Sequence, residues 1–293
     1  MNFTLVFKTS LALLAFAGNS VLCRLALEGG SIDPTSFTSI RIVSGAITLG
    51  IICLLLTPNK LSLSGVNFKH SDWVSGLSLF IYAAAFSFAY ISLATGTGAL
   101  ILFASVQITM LGVAIFKGLR LNLLQWTGFI FAIAGLVYLL LPGLSAPPLF
   151  GALLMMCSGI AWGVYSIKGK TAGEPTLATT ENFLRALPYC LALLVLMLVL
   201  PIGKFHIDAH GLGLAIASGA ITSGLGYAIW YAVLPSLKAA SAATLQLTVP
   251  IIATIGGLIW VQESITLRLI IASASILGGV ALVVWQSGKS EQT

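Results

Sequence analysis

Ten stretches of about 20 apolar residues each follow one another from Phe7 to Trp285, separated by short polar or glycine- and proline-containing segments. A helix of about 20 residues crosses the hydrocarbon core of a bilayer, which is about 30 Å thick. Irregular backbone and open sheet edges cannot face lipid with unsatisfied polar groups, so each stretch is predicted as a helix. The pattern predicts an all-α integral membrane protein with ten transmembrane helices.

Breaker residues such as Gly29, Pro58, Pro142 and Pro235 lie between the stretches, where connections are expected. The connections are too short to hold a soluble domain. The predicted spans cover residues 9–28, 34–57, 73–94, 98–117, 122–141, 148–168, 177–201, 211–233, 239–261 and 264–285.

The two halves of the chain resemble each other at an offset of about 143 residues. The following residues meet identical ones under this shift: Ala99, Leu102, Val106, Ile108, Gly135 and Val137, which correspond to Ala242, Leu245, Val249, Ile251, Gly278 and Val280. We therefore predict two five-helix repeats, residues 1–144 and 145–293. Because each repeat crosses the membrane an odd number of times, the second is inverted, an arrangement typical of secondary transporters with a site near the membrane midplane.

Composition agrees with a membrane protein, since 58% of residues are hydrophobic and only 8% are charged. The net charge of +6 does not indicate nucleic-acid binding, because the Lys and Arg residues are scattered over the connections. With the N-terminus inside, the inner connections hold nine basic residues and the outer ones hold only Lys204 and Arg268. This bias predicts a multi-pass protein of a bacterial inner (plasma) membrane with both termini cytoplasmic.

Four cysteines, Cys23, Cys53, Cys157 and Cys190, all fall in apolar spans, and none has a partner at metal-ligand spacing. We interpret them as small packing residues. The H-E-x-x-H, G-x-S-x-G and Walker A signatures are absent from the sequence. The expectation is therefore a protein without catalytic residues, metal or cofactor.

Several motifs together resemble the EamA-type members of the drug/metabolite transporter superfamily. The first repeat carries residues 17–20 (AGNS), Asp33-Pro34 with Phe37 and Arg41, and residues 96–100 (GTGAL) after Tyr90; the second carries residues 161–163 (AWG), 230–234 (WYAVL), 249–253 (VPIIA) with Glu263, and 278–280 (GGV). The resemblance implies two inverted five-helix repeats that export amino acids, other small metabolites or drugs by alternating access.

Polar residues in the middle of membrane helices are candidates for function, because burying them costs free energy unless they are paired or line water. Asn19 and Ser20 lie in span one, Gln107 lies in span four and Gln246 lies in the matching region of span nine. We predict that these four residues bind substrate. The alternative is that they form hydrogen bonds between helices.

Tyrosine and tryptophan residues form a second set of candidates, since each offers an apolar face and one hydrogen-bonding group. The predicted substrate-binding aromatic residues are Tyr82, Tyr90, Trp162, Tyr165, Tyr227 and Trp230. Core packing or anchoring at the membrane interface is the alternative for each of them.

Two further residues have predicted roles outside direct binding. Pro250 lies inside span nine, where it removes a backbone hydrogen bond to the carbonyl of residue 246 and predicts a hinge or a static kink. Arg41 lies about two turns from the outer end of span two. It is interpreted either as an interfacial residue that pairs with Glu28 or Asp33, or as a contact for a substrate carboxylate at the outer mouth.

All eight acidic residues lie near span ends or in connections, which disfavours a proton-coupled pump for cations and favours a neutral or zwitterionic solute. The main hypothesis is an exporter of small amphipathic metabolites such as amino acids. The first alternative is a transporter of phosphate-bearing sugars or lipid-linked substrates, which would need Arg41 and Arg185 in its cavity. The second is a membrane protein that does not transport. The expected partners are a small-molecule substrate and the lipid bilayer, without nucleic acid, and the oligomeric state is open between monomer and homodimer.

Overall fold

The computed structural model describes residues 3–56, 70–169, 174–200, 205–237 and 239–290. Ten helical elements run through these residues. They are α1 (Phe3–Glu28), α2 (Pro34–Leu56), α3 (His70–Ala89), α4 (Thr95–Phe116), α5 (Leu123–Leu140), α6 (Leu149–Gly169), α7 (Pro175–Val199), α8 (Ala209–Ser236), α9 (Ala239–Gln246 and Val249–Val261) and α10 (Leu267–Ser290).

Nine helical stretches in the described part of the chain are long and apolar enough to cross a membrane, and α3 adds a shorter apolar stretch, Trp73–Ala89. The prediction of an all-α membrane protein with ten helices is therefore confirmed. Most helix ends lie within a few residues of the predicted ones. The largest difference is the start of α1, at Phe3 rather than at residue 9, and α3 ends at Ala89 rather than at residue 94. The chain turns there, and the Tyr90 hydroxyl donates a hydrogen bond to the Thr95 carbonyl at 3.1 Å.

Helix α9 is interrupted in the middle of its span. Leu247 and Thr248 form a tight turn, in which their backbone N–H groups bond to the carbonyls of Thr244 and Leu245. Pro250 lies in the first turn of the second segment, where a missing N–H costs little. The sequence predicted a kink at Pro250, and in the structure the helix breaks two to three residues earlier, next to Gln246.

Helix α8 contains a π-helical segment, Ser218–Leu225, between two α-helical segments. Gly219 and Gly224 in this segment face α2, and a Cβ on Gly224 would lie 3.0 Å from Thr48 Cβ. A π-helical turn shifts the residues that follow it around the helix axis, and such turns are frequent at functional sites. The segment allows the backbone of α8 to lie directly against α2.

The connections on one face of the bundle are tied together by backbone hydrogen bonds. Ile32 and Ile207 form an antiparallel bridge, Asp33 N–H donates to the His206 carbonyl, and Asp208 N–H donates to the Ser31 carbonyl, each at 2.9 Å. The Asp208 carboxylate caps α8 by accepting from the Gly211 N–H, and this hydrogen bond lowers the Asp208 pKa below its usual value. Asp33 caps α2 in the same way, through the Thr35 and Ser36 N–H groups.

Close helix contacts depend on individual glycines. Gly159 of α6 faces α4, where a Cβ would lie 2.5 Å from Ser105 Cβ, and Gly128 of α5 faces the Gly279 carbonyl of α10. Gly278 and Gly279 are adjacent glycines of α10, and small residues of this kind let membrane helices approach closely. Gly279 is buried against α5, whereas Gly278 is exposed with open space around its Cβ position, so only Gly279 serves helix packing.

Candidate functional site

A small cavity lies at the centre of the bundle, where six helices from both halves of the chain meet. Its volume is about 30 Å³, which is room for about two water molecules. It is lined by Phe16, Asn19 and Ser20 of α1, Tyr82 and Phe86 of α3, Leu102 and Phe103 of α4, Trp162 of α6, Thr222 and Tyr227 of α8, and Gln246 of α9. A solute larger than two waters therefore requires the surrounding side chains or helices to move apart.

Six of the ten predicted substrate-binding residues line this cavity: Asn19, Ser20, Tyr82, Trp162, Tyr227 and Gln246. The other four lie outside its wall. Tyr90 is fully buried between the α3–α4 turn and Gly98, Tyr165 is buried beside Trp162, Trp230 packs edge-on against Phe16, and Gln107 lies half-buried further along α4. The residue type made these four residues reasonable candidates, but the sequence does not show which way a side chain points around the helix axis.

Five lining residues were not predicted: Phe16, Phe86, Leu102, Phe103 and Thr222. Phenylalanine and leucine give no usable signal in a membrane helix, because lipid, core and cavity wall all accept an apolar side chain. Thr222 was recognisable in principle, since it lies in residues 218–224 (SGAITSG), a run of small and hydroxyl-bearing residues in the middle of span eight.

Aromatic rings form much of the cavity wall, and Trp162 contacts two of the others, Tyr82 and Tyr227. Its ring centroid lies 4.7 Å from that of Tyr82 and 5.2 Å from that of Tyr227. Phe16 contacts the Tyr227 ring edge-on, with centroids 5.8 Å apart. Such a wall offers polarizable faces to an apolar group and hydroxyl groups to a polar one.

Asn19 connects three helices at the polar side of the cavity. Its Nδ2 donates to the Tyr82 hydroxyl at 3.2 Å, and its Oδ1 accepts from the Ser218 hydroxyl at 2.6 Å and from the Thr222 hydroxyl at 3.3 Å. The side chain is buried and also lines the cavity. The two interpretations of Asn19, helix-to-helix hydrogen bonding and cavity lining, therefore apply together.

Arg41 lies directly behind this wall, at only 1% exposure. Its Nη2 donates to the Tyr82 hydroxyl at 2.8 Å and its Nε donates to Ser223 Oγ at 3.2 Å. The guanidinium carbon lies 5.0 Å from the ring centroids of both Tyr82 and Phe86. The interpretation of Arg41 as an interfacial residue at the outer mouth is wrong, because the side chain points into the bundle rather than toward the headgroups.

The other buried arginine, Arg185, is paired along its own helix. Its Nη2 lies 2.9 Å from Glu181 Oε2, an ion pair between residues i and i+4 of the helix. Its backbone and Cβ pack against Gly76 of α3. Neither Arg185 nor Arg41 is among the residues that line the central cavity.

A second and larger cavity, about 370 Å³, opens at the end of the bundle where α1 ends and α4 begins. Arg24 lies at its edge and makes an ion pair with Glu263 at 3.0 Å and another with Glu28 at 2.9 Å. Arg24 Nη1 also donates to the carbonyls of Tyr90 and Ile91. We refer to these residues, namely Arg24, Glu263 and the α3–α4 turn at residues 90–94, as the end clasp.

The end clasp lies close to both cavities. Ser20 lines the central cavity and Arg24 lines the end cavity, and these residues are one helical turn apart on α1. Glu263 Oε2 accepts from the Thr95 N–H at 2.8 Å, so the clasp joins α1, the α3–α4 turn and the end of α9. Breaking it would remove the polar contacts that hold these three elements together at this end of the bundle.

Replacing Glu263 with glutamine is expected to lower the free energy of unfolding by about 1.5–3 kcal/mol, since a mostly buried charge-assisted hydrogen bond is lost. Thermal unfolding of the purified protein in detergent measures the change. Glu28→Gln is the matched control, because Glu28 pairs with the same arginine but its side chain is 44% exposed, and the expected cost is about 0–1 kcal/mol. Equal costs for the two substitutions would contradict this account.

In the described residues, no group of three or more His, Cys, Asp and Glu side chains is placed to hold a metal ion. Cys23, Cys53 and Cys190 are buried, and Cys157 is exposed on the outside of the bundle. The packing interpretation therefore fits three of the four cysteines.

A multi-pass helical bundle with a polar and aromatic cavity at its centre is an architecture typical of membrane transporters. Residues 149–285 match the EamA-like transporter family. A Pseudomonas aeruginosa protein described as uncharacterized is 46% identical over 276 residues, which are 94% of this chain and 93% of that one. The chain belongs to the EamA-like transporter family.

More distant relatives and a solved structure agree with this assignment. An uncharacterized transporter of Archaeoglobus fulgidus is 23% identical over 262 residues, covering 86% of this chain and 89% of that one. The uncharacterized transporter YoaV of Bacillus subtilis is 21% identical over 256 residues, covering 85% and 86%. One protein of known crystal structure superposes with a TM-score of 0.62 at 20% identity, over 95% of this chain and 99% of that one, and so shares the fold.

Proposed function

We propose that this transporter exports small amphipathic metabolites, such as amino acids, by alternating access through the central cavity. The observation that carries the proposal is the composition of the cavity wall. Aromatic rings supply most of this wall. The polar groups of the same cavity come from four residues: Asn19, Ser20, Thr222 and Gln246. A solute with an apolar group and a hydrogen-bonding group matches this wall.

The helix arrangement supports two inverted repeats, residues 1–144 and 145–293, as the source of alternating access. The two repeats place α1 in correspondence with α6, α2 with α7, α3 with α8, α4 with α9 and α5 with α10. When each helix is replaced by its corresponding helix, every major helix–helix contact is matched by another contact or by itself. The α3–α6 contact corresponds to α1–α8, α4–α6 to α1–α9, and α2–α8 to α3–α7, while α5–α10, α2–α7 and α4–α9 map onto themselves. The cavity likewise takes wall residues from the matched pairs α1 and α6, α3 and α8, and α4 and α9.

The cavity wall also argues against the alternative substrates. Phosphate groups call for basic side chains, and neither Arg41 nor Arg185 lines the cavity. No acidic side chain is found among the described lining residues, which supports a neutral or zwitterionic solute over a cation exchanged for protons. These features favour the amphipathic metabolite over a phosphate-bearing sugar or lipid.

We further propose that the protein lies in the bacterial inner membrane with both termini in the cytoplasm. The excess of Lys and Arg in the connections on the side of the termini supports this orientation. With this orientation, the end clasp lies on the periplasmic side of the central cavity.

A thermal-shift screen of the purified full-length protein against amino acids and other small metabolites tests the proposal, since a ligand that binds only the folded state raises the melting temperature. Solutes that give a shift are then loaded into proteoliposomes, and their efflux is compared with that from protein-free liposomes. A broad metabolite panel that produces neither a shift nor efflux would overturn the proposed function.

A further inference from the structure

Arg41 is a buried positive charge that the described part of the protein does not neutralise. A guanidinium stays protonated at any physiological pH, and a charge inside the membrane is costly unless it is paired. Arg24 and Arg185 each make an ion pair with a carboxylate, whereas the ion pairs of the described residues include none for Arg41. Its Nη1 is buried without a hydrogen-bond partner.

The charge of Arg41 is transmitted to the central cavity through Tyr82. The Tyr82 hydroxyl oxygen accepts one hydrogen bond from Arg41 Nη2 and a second from Asn19 Nδ2. A phenol oxygen accepts two hydrogen bonds and donates one, so this hydroxyl is left only with its own proton to donate. A cation that bonds to the oxygen polarises the O–H group and makes it a stronger donor. The Tyr82 side chain lines the cavity.

We infer that the Tyr82 hydroxyl, polarised by its hydrogen bond from Arg41, forms a subsite in the central cavity for the carboxylate of the transported solute. This inference rests on the proposed function, and it adds that the solute carries a negative group. A hydrogen bond to an ionised acceptor is about twice as strong as a neutral one, and the low dielectric inside the bundle strengthens the attraction to Arg41. The bound carboxylate would supply the counter-charge that Arg41 lacks.

The position of Arg41 behind Tyr82 and Phe86 also suits transport rather than tight binding. Both rings stack on the guanidinium and line the cavity, whereas Arg41 itself does not, so a solute contacts the Tyr82 hydroxyl rather than the guanidinium. A bidentate pair between arginine and carboxylate would hold the solute more strongly. Trp162, on the neighbouring helix, offers its ring to the apolar end of the same solute. The expected substrates are therefore solutes, zwitterions such as amino acids included, that join a carboxylate to an apolar or aromatic group.

The test compares two probes of nearly the same size and shape, the anion phenylacetate and the uncharged phenylacetamide. Melting temperatures of the full-length protein are measured against the concentration of each probe. We expect the unaltered protein to bind phenylacetate at least about 10-fold more tightly than phenylacetamide, which corresponds to the loss of one charge-assisted hydrogen bond. Arg41→Gln keeps a donor near Tyr82 but removes the charge, and it is expected to abolish the preference. Arg41→Lys keeps the charge and is expected to retain part of it.

Asn19→Asp provides a test that leaves Arg41 in place, in case its substitution prevents folding. Aspartate has nearly the same shape as asparagine, and it would place a permanent carboxylate next to the Tyr82 hydroxyl. We expect this variant to lose phenylacetate binding, because the internal carboxylate occupies the subsite and repels the probe. Arg185→Gln is the control, since it removes a buried membrane-helix charge that pairs with Glu181 and does not line the cavity, and it should leave the preference unchanged.

The outcomes separate the subsite from the proposed function. A purely structural Arg41 would lower the melting temperature in Arg41→Gln but leave the ratio of the two probe affinities unchanged, which would overturn the inference. Binding of neither probe, or equal binding of both, would also overturn it, while a shift by neutral metabolites would preserve the proposed function. If sodium chloride stabilises the unaltered protein but not Arg41→Gln, and phenylacetate has no effect, the counter-charge is a free anion and the carboxylate subsite is wrong.

Discussion

Replacing Gly279 with leucine is expected to prevent the protein from accumulating in the membrane, or to lower its melting temperature sharply. Gly279 is where α10 meets α5, and a Cβ there would overlap the Gly128 carbonyl oxygen and lie 2.8 Å from the Ala132 backbone nitrogen. Backbone atoms cannot move aside as a flexible side chain can, so the helices must separate. Overpacking costs typically about 1–3 kcal/mol, and the upper end or more is expected here against a total stability of about 5–15 kcal/mol.

Gly278→Leu is the matched control for this prediction, because it makes the same change at the next residue of the same helix. Gly278 is exposed, and no atom lies within 4 Å of its Cβ position. Removing a helix-interior glycine gains up to about 1 kcal/mol of helix propensity, so stability is expected to stay the same or to rise slightly. Membrane abundance and thermal unfolding in detergent measure both variants. Similar behaviour of the two variants would show that α5 and α10 do not contact each other through Gly279.

Replacing Trp162 with alanine is expected to weaken solute binding by at least about 10-fold, and to reduce transport accordingly. The indole ring contacts the rings of Tyr82, Tyr165 and Tyr227, and it forms one wall of the central cavity. Aromatic contacts are worth about 0.5–1.5 kcal/mol each beyond the buried area, and a large aromatic residue at the centre of a site commonly contributes about 2 kcal/mol or more. Any solute that gives a thermal shift with the unaltered protein serves as the reporter.

Trp162→Phe should retain most of the binding, because it preserves a ring in the same place. Trp126→Ala is the control outside the cavity. Trp126 lies on α5 with 42% exposure and is not a lining residue, so its removal should leave binding and efflux unchanged. If Trp126→Ala weakened binding as much as Trp162→Ala, a general loss of stability would explain both effects. If Trp162→Ala had no effect on binding, the central cavity would not be the solute site.

Much of the fold was predictable, because the length and spacing of apolar stretches depend on the bilayer and not on the neighbouring helices. Two local features were not predictable in this way. Residues 90–94 are apolar enough to continue the span, but α3 ends at Ala89. The turn that follows is held by the hydrogen bond from the Tyr90 hydroxyl to the Thr95 carbonyl and by the one from Arg24 to the Tyr90 carbonyl. The break in α9 before Pro250 and the π-helical segment of α8 likewise depend on packing against other helices.

The sequence predicted which types of residue form the candidate site, but it identified only some of the particular residues. Asn19 and Gln246 stand out because polar groups in membrane helices are costly, and both reach the cavity. Gln107 satisfies the same criterion but lies outside the wall, since the sequence does not say which side of α4 faces the centre. In α4 the buried, lipid-facing and cavity-facing sides are almost equally apolar, so periodicity carries no direction.

The sequence by itself determined that the chain lies in a lipid bilayer, how many helices it forms and which class of protein it belongs to. These features depend on the hydrophobic length of single segments and on the distribution of charge between them. Only the tertiary structure decided the position of Arg41. Its sequence neighbourhood places it two turns from a helix end, where a long basic side chain can reach the headgroups. The packing of α2 against α3 and α8 instead directs it inward to Tyr82 and Ser223. The direction of a side chain around a helix axis depends on which helices surround it, and that is settled only when all ten are packed together.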